Sequence, residues 1–195
     1  MDTLLSLGVG LGLSAACGFR VFVPLLVASI AAHNGYLMLA PGFEWVGTSQ
    51  ALYAFATATL LEVLAYSIPW LDNALDVVAT PAAVIAGILA SAAVLTEIPP
   101  FFKWSLAIIA GGAAAGMVQG ATTFLRLKTA LASGGIGNFL IAGAELFGSV
   151  VVALLAIALP LMCLLLLLGI GMVVWRLAGR FAFGRRKHGQ GPADT

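Results

Sequence analysis

Of the chain's 195 residues, 62% are hydrophobic and 9% are charged, against roughly 45–50% and 25% in an average soluble domain. A globule of this size cannot hide so much apolar surface, because in small proteins surface grows almost as fast as volume. Disorder, collagen, coiled coil and a disulfide scaffold are excluded by the same numbers, which leaves a polytopic all-α membrane protein.

The net charge of +1 is unevenly placed. Arg176, Arg180, Arg185, Arg186 and Lys187 crowd the C-terminal end, opposed there by Asp194 alone. Basic residues directly after an apolar helix put the C-terminus in the cytoplasm. Without interleaved aromatics or a nucleic-acid fold, the tail reads as a topology signal, and no nucleic-acid partner is expected. Cys17 and Cys163 sit inside apolar runs at no metal-binding spacing and read as small packing residues.

In chain order, the apolar stretches are 3–32, 49–69, 77–98, 104–125 and 139–175. A crossing takes about 20 residues at ~1.5 Å rise each, so the middle three fit single spans. The outer two would measure roughly 45 and 55 Å as straight helices and are expected to be broken, kinked or folded back. Leu4 to Cys17 resembles a signal-peptide core, but Asp2 is the only nearby charge and the chain stays apolar to Ala32, so the segment is expected to remain. Gly18, Arg20 and Pro24 mark the break in this first stretch. Residues 33–48 contain no Lys or Arg but hold Tyr36, Glu44 and Trp45, which suits an external interfacial loop. Ile98 to Trp104 reads as a stiff, aromatic-anchored turn, and 133–138 as a flexible glycine-rich one. Pro160 predicts a kink in the last stretch, with 139–155 partly interfacial or re-entrant. Arg126 and Lys128 would share a side with the basic tail only if 139–175 crossed an even number of times. The expectation is therefore an all-α polytopic transmembrane helical bundle of about four to six crossings, one domain over 1–188 with a disordered cytoplasmic tail at 189–195.

Gly8, Gly12 and Ala16, and again Gly112, Gly116 and Gly120, fall at steps of four and give two helices a small-residue stripe. Lipid supplies no hydrophobic force between helices, so close approach at such stripes is what joins them. A stripe, a glycine-containing break and later acids in each half suggest a weak internal repeat of roughly 100 residues.

A charge inside the bilayer costs from ~3 to above 10 kcal/mol, so such residues are candidate sites. Arg20 is the sharpest; its bland alternative is snorkelling, or pairing with one buried acid. Glu62 lies within 49–69. Asp72 and Asp76, at i and i+4, would share a helix face, and the plainer reading has Asp72 capping a helix that begins near Asn73. Asn138 caps the next helix in this reading, with Glu145 two turns on and Arg20 its natural partner. Gln119 is expected to make an interhelical hydrogen bond. With only His33 and His188 there is no histidine-based triad or metal set; no phosphate loop or dinucleotide fingerprint is present, and no cofactor or metal is expected.

Three clusters carry a resemblance. Gly18-Phe19-Arg20-Val21-Phe22 with Pro24-Leu25-Leu26 is the first. Ile68-Pro69-Trp70-Leu71-Asp72 with Asp76 and Thr80-Pro81, then Gly134-Gly135-Ile136-Gly137-Asn138 with Glu145, complete the set. Together, and over nearly the whole chain, they resemble the domain-of-unknown-function 4126 family of small bacterial integral membrane proteins. Members often carry an Asp-Lys pair before the Ile-Pro; Tyr66-Ser67 stands here instead, so a site built on that pair is altered. The resemblance implies a multispanning protein of the bacterial cytoplasmic membrane and no established activity.

The first functional expectation is a small transporter or channel for an ion or small anionic solute, embedded in the lipid bilayer and working as a homo-oligomer. Its site would draw on Arg20, Glu62, Asp72, Asp76, Asn138 and Glu145. The alternative is a non-transporting scaffold or accessory subunit with the same charges as static pairs. An enzyme is the least favoured class, because no nucleophile–base pair is visible. A water-reachable cavity around Arg20 and the acids would favour transport, and a sealed helix interface would favour the scaffold.

Overall fold

The computed structural model describes the backbone of residues 2–66, 69–133 and 136–184, and the side chains within those ranges except 69–77, 130–139, 173–175 and 177–184. The tail predicted at 189–195 lies outside the described residues, as do the side chains of Asp72, Asp76 and Asn138. Among the described residues there is no strand. The helices are α1 (Thr3–Cys17), α2 (Phe22–His33), α3 (Ser49–Ala65), α4 (Pro69–Val94), α5 (Pro100–Leu106), α6 (Gly112–Ser133), α7 (Ile136–Ala158) and α8 (Pro160–Gly184). A 3₁₀ turn, Glu44–Gly47, precedes α3, and a π-helical segment, Ala107–Gly111, joins α5 to α6. Among the described residues two helical runs, Pro100–Thr129 and Leu140–Ala158, are long and apolar enough to cross a membrane, and five shorter apolar helices accompany them.

The first long stretch folds back on itself. Gly8 lies against Pro160, Gly12 against Ala156 and Cys163, and the Ser149 hydroxyl donates to Ala16 O at 3.0 Å, so α1 runs antiparallel to α7. α2 returns beside α7, with Val27, Ile30 and Ala31 facing Leu154, Ile157 and Ala158. Both ends of 3–33 thus point the same way. At ~1.5 Å per residue the arms measure only about 22 and 18 Å.

The last stretch behaves differently. The helix is interrupted at Leu159 alone, and Leu159 N–H to Leu155 O (2.8 Å) and Cys163 N–H to Leu159 O (3.0 Å) carry the bonding pattern across Pro160. α7 runs as 23 unbroken residues, so no re-entrant break falls within 139–155. No polar side chain waits there to receive a freed backbone group, so continuing the helix is the cheaper solution.

α1 is the centre. Its Gly10 meets Ser91 of α4, and its Ser14 hydroxyl lies 2.8 Å from Gly10 O and 2.6 Å from Gly87 O. Gly18 packs on Ala115, Val118 and Gln119 of α6, where a Cβ would come within 2.5 Å of the Ala115 carbonyl oxygen. Gly112 and Gly116 face Ile88 and Val84 of α4, whereas Gly120 borders open space. Gly87 and Gly111, outside both predicted stripes, meet with 3.1 Å between a Cβ position and the facing carbonyl. The interior is accordingly built of Ala, Gly and Ser, while Leu60, Leu61, Ile109, Met117, Phe147 and Leu165 point outward.

Residues 33–48 are not a free loop. Leu37, Ala40, Phe43 and Val46 are buried, Ala40 N–H donates to Ala93 O at 2.7 Å, and Ser29 Oγ donates to Val46 O at 2.6 Å. Tyr36 and Trp45 stay exposed. Two helix starts also correct expectations. α4 begins at Pro69 and α7 at Ile136, so Asp72 and Asn138 lie inside first turns rather than at caps.

Candidate functional site

The fold-back of α1 on α2 leaves four residues, 18–21, between two helices, and their backbone groups need partners. Phe19 and Arg20 N–H donate to Ala16 O. The start of α2 has no capping side chain of its own. Glu62, one turn from the end of α3, supplies it: the carboxylate accepts from Val21 N–H at 2.8 Å and Phe22 N–H at 3.1 Å. A negative group also suits the positive end of the helix dipole. Pro24 falls in the first turn of α2, where a missing N–H costs nothing.

Arg20 stands at the tip of this fold-back and is 3% exposed. Its Nη2 donates to Ala142 O of α7 at 3.0 Å and lies 3.9 Å from Glu145 Oε2. Its Nε and Nη1 have no hydrogen-bond partner among the described residues. Its guanidinium carbon is 3.8 Å from the centre of the Tyr66 ring, at the end of α3.

Glu145 is buried, and its principal partner is Arg126 of α6 rather than Arg20. Arg126 Nε donates to Glu145 Oε1 at 2.8 Å, and Arg126 Nη2 donates to Oε2, a fork-to-fork pair. The Arg126 guanidinium carbon also lies 4.5 Å from the Tyr66 ring centre. One aromatic ring therefore serves two cations, each contact worth about 0.5–2 kcal/mol. The cluster comprises Arg20, Glu62, Tyr66, Arg126 and Glu145, from the break and α3, α6 and α7.

Of the predicted residues, Arg20, Glu62 and Glu145 come together here. Asp72 and Asp76 share a face of α4 by helical register, and Asn138 lies on the first turn of α7. Gln119 corrects an expectation: its amide reaches Thr123 Oγ1, at 3.5 Å, within its own helix. Arg126 and Tyr66 are additions. A signal for Arg126 exists, since Gln119, Thr122 and Arg126 are buried at i, i+3 and i+7 in an apolar helix. Tyr66 carries no charge, and its one signal in the sequence is its place in the Tyr66-Ser67 pair before the Ile-Pro.

An apolar cleft of about 420 Å³ lies between α2 and α7, bordered by Val27, Tyr36 and Ile157, and none of the site residues lines it. Among the described residues no group of three His, Cys, Asp or Glu side chains could hold a metal.

A family model described as "Domain of unknown function (DUF4126)" matches residues 7–180. Comparison with curated proteins gives no match, and comparison with solved structures gives none.

Proposed function

The chain belongs to this family, whose description assigns no activity, and from its own residues we propose a multi-pass membrane protein that moves a small solute. It is a small transporter or channel, with the cluster at the first helix break as its binding site. Small residues inside and large apolar side chains outside support embedding in lipid, since a water-soluble surface rarely carries so many contiguous apolar groups. The reading takes about four to six crossings, a cytoplasmic C-terminus in a bacterial inner membrane, and a homo-oligomeric state. Burial of Arg126 in an ion pair supports that orientation, because it removes one of two basic residues that opposed the tail.

The observation that carries the reading is Arg20. A charge placed only to lock helices would be saturated by them, yet among the described residues Nε and Nη1 have no partner at 3% exposure. Each unmet buried donor costs about 1–3 kcal/mol or more when charged. A helix break with a charge at its tip is also how discontinuous helices build midplane sites in transporters. Two observations favour the scaffold reading: Arg126 and Glu145 saturate each other at 5% and 4% side-chain exposure, and the cleft between α2 and α7 is lined by none of the cluster residues.

Proteoliposome flux with panels of ions and organic anions, native chain against Arg20→Lys and Arg20→Ala, separates the two. Flux that falls with both variants supports transport. Absence of flux for every solute, with a partner protein co-purifying in fixed ratio, supports the scaffold.

A further inference from the structure

The four described charges in the cluster are not equally matched. Arg126 and Glu145 form a complete two-bond pair. Arg20 is held to the same carboxylate only at 3.9 Å and keeps two donors idle. Glu62 spends both oxygens on backbone amides, and among the described residues no cation stands within ion-pair distance of it. The sum is zero, but it consists of one closed pair plus a cation and an acid that do not touch.

Resting on the transport reading, we propose that Arg20 binds a small monovalent oxoanion, of carboxylate or nitrate type, and that the anion moves together with one proton carried by Glu62. In-plane guanidinium N–H donors match the oxygens of a planar oxoanion. The anion would satisfy the idle donors but leave the described cluster at −1, a state that a low-dielectric site penalises. A proton on Glu62 restores zero and breaks no ion pair. Protonating Glu145 would instead strand Arg126. A protonated Glu62 still accepts an α2 amide through its carbonyl oxygen, so the break keeps one of its two ties. Cys17 and Arg20 face Glu62 from α1 and the break, and Glu145 faces it from α7. Of these groups only Arg20 is a cation, so anion binding there is felt directly at Glu62. The preference is for a monoanion because the described cluster holds a single unmatched acid. Mass and charge balance as one anion and one proton in, with nothing left behind.

The native chain in proteoliposomes tests this, with a pH-sensitive dye inside, a potassium–valinomycin voltage clamp, lactate and nitrate as probes, and sulfate as the divalent control. The expected result is uptake with one proton per anion, insensitive to the clamped potential, and no sulfate uptake. Glu62→Gln should lose net proton-coupled uptake while still exchanging labelled for unlabelled anion at a reduced but measurable rate, which also shows that it folds. Arg20→Gln should lose both. Uptake driven by an inside-positive potential without luminal acidification overturns the coupling and leaves the transport reading standing. Sulfate uptake matching that of nitrate overturns the monovalent site. Absence of flux for every anion and cation overturns both readings together.

Discussion

The two overlong apolar stretches meet the same difficulty and solve it in opposite ways. Residues 3–32 contain Pro24 and fold back, whereas 139–175 contain Pro160 and run on with a one-residue interruption. The proline is therefore not what decides. At the first break a carboxylate from another helix accepts the freed amides, and a charged side chain lies in the turn. Around Pro160 only apolar side chains are at hand, and the hydrogen bonds at Leu159 and Cys163 keep the helical pattern. In an apolar interior a helix breaks where something polar stands ready to receive the ends.

The contrast can be broken most forcefully where the two stretches meet. Glu145→Gln strands Arg126 and loosens Arg20, and is expected to cost about 3–5 kcal/mol. The paired change Arg126→Met with Glu145→Leu should recover most of that loss, measured by thermal or denaturant unfolding in detergent. A double variant no better than the single one would mean that the pair does more than neutralise itself.

A smaller effect sharpens the comparison directly. Glu62→Ala leaves the part-buried Val21 amide without an acceptor, at about 1–3 kcal/mol, while the exposed Phe22 amide can turn to water. Pro160→Ala should leave stability unchanged or raise it by up to ~3 kcal/mol, because the helix already passes through that point. Opposite signs in the same unfolding assay support the account; a similar loss from both would remove it.

The smallest effects come from the glycines. Gly12→Val drives methyl groups into Ala156 and Cys163 and should cost about 1–3 kcal/mol. Gly120→Ala meets nothing within 4 Å and should gain up to ~1 kcal/mol from helix propensity.

Much of this was legible in the residues. Gly18, Arg20 and Pro24 announce the first break, and an acid–base meeting near Glu145 follows from isolated charges in apolar helices. The identity of the partner was not legible. Arg126 lies beside Lys128 and close to a glycine-rich turn, so it counts as a topology residue until folding turns it inward. Its α6 face, with Gln119 and Thr122, is polar on one side only, and that periodicity is the cue that outweighs its position. Glu62 as a cap for α2 is beyond local reading, since the 40 residues between them place no constraint on which helix end it meets. The seam of Gly87 against Gly111 was hidden for a related reason. Each is the single glycine in its small-residue step of four, Ala83-Gly87-Ser91 and Ala107-Gly111-Ala115, and which stripe meets which depends on where two helices cross.

The central position of α1 sets a timetable for synthesis. α1 leaves the ribosome before α4, α6, α7 and α8, which must later enclose it. The backbone acceptor for Arg20 on α7 lies 122 residues further along the chain, and the Ser149 hydroxyl that ties off α1 comes later still. Before α7 is made, Glu62 can already hold the fold-back, since it is an early residue whose hydrogen bonds need nothing downstream. The nascent chain thus carries a provisional clasp, and Arg20 waits for α7 before the bundle closes around it.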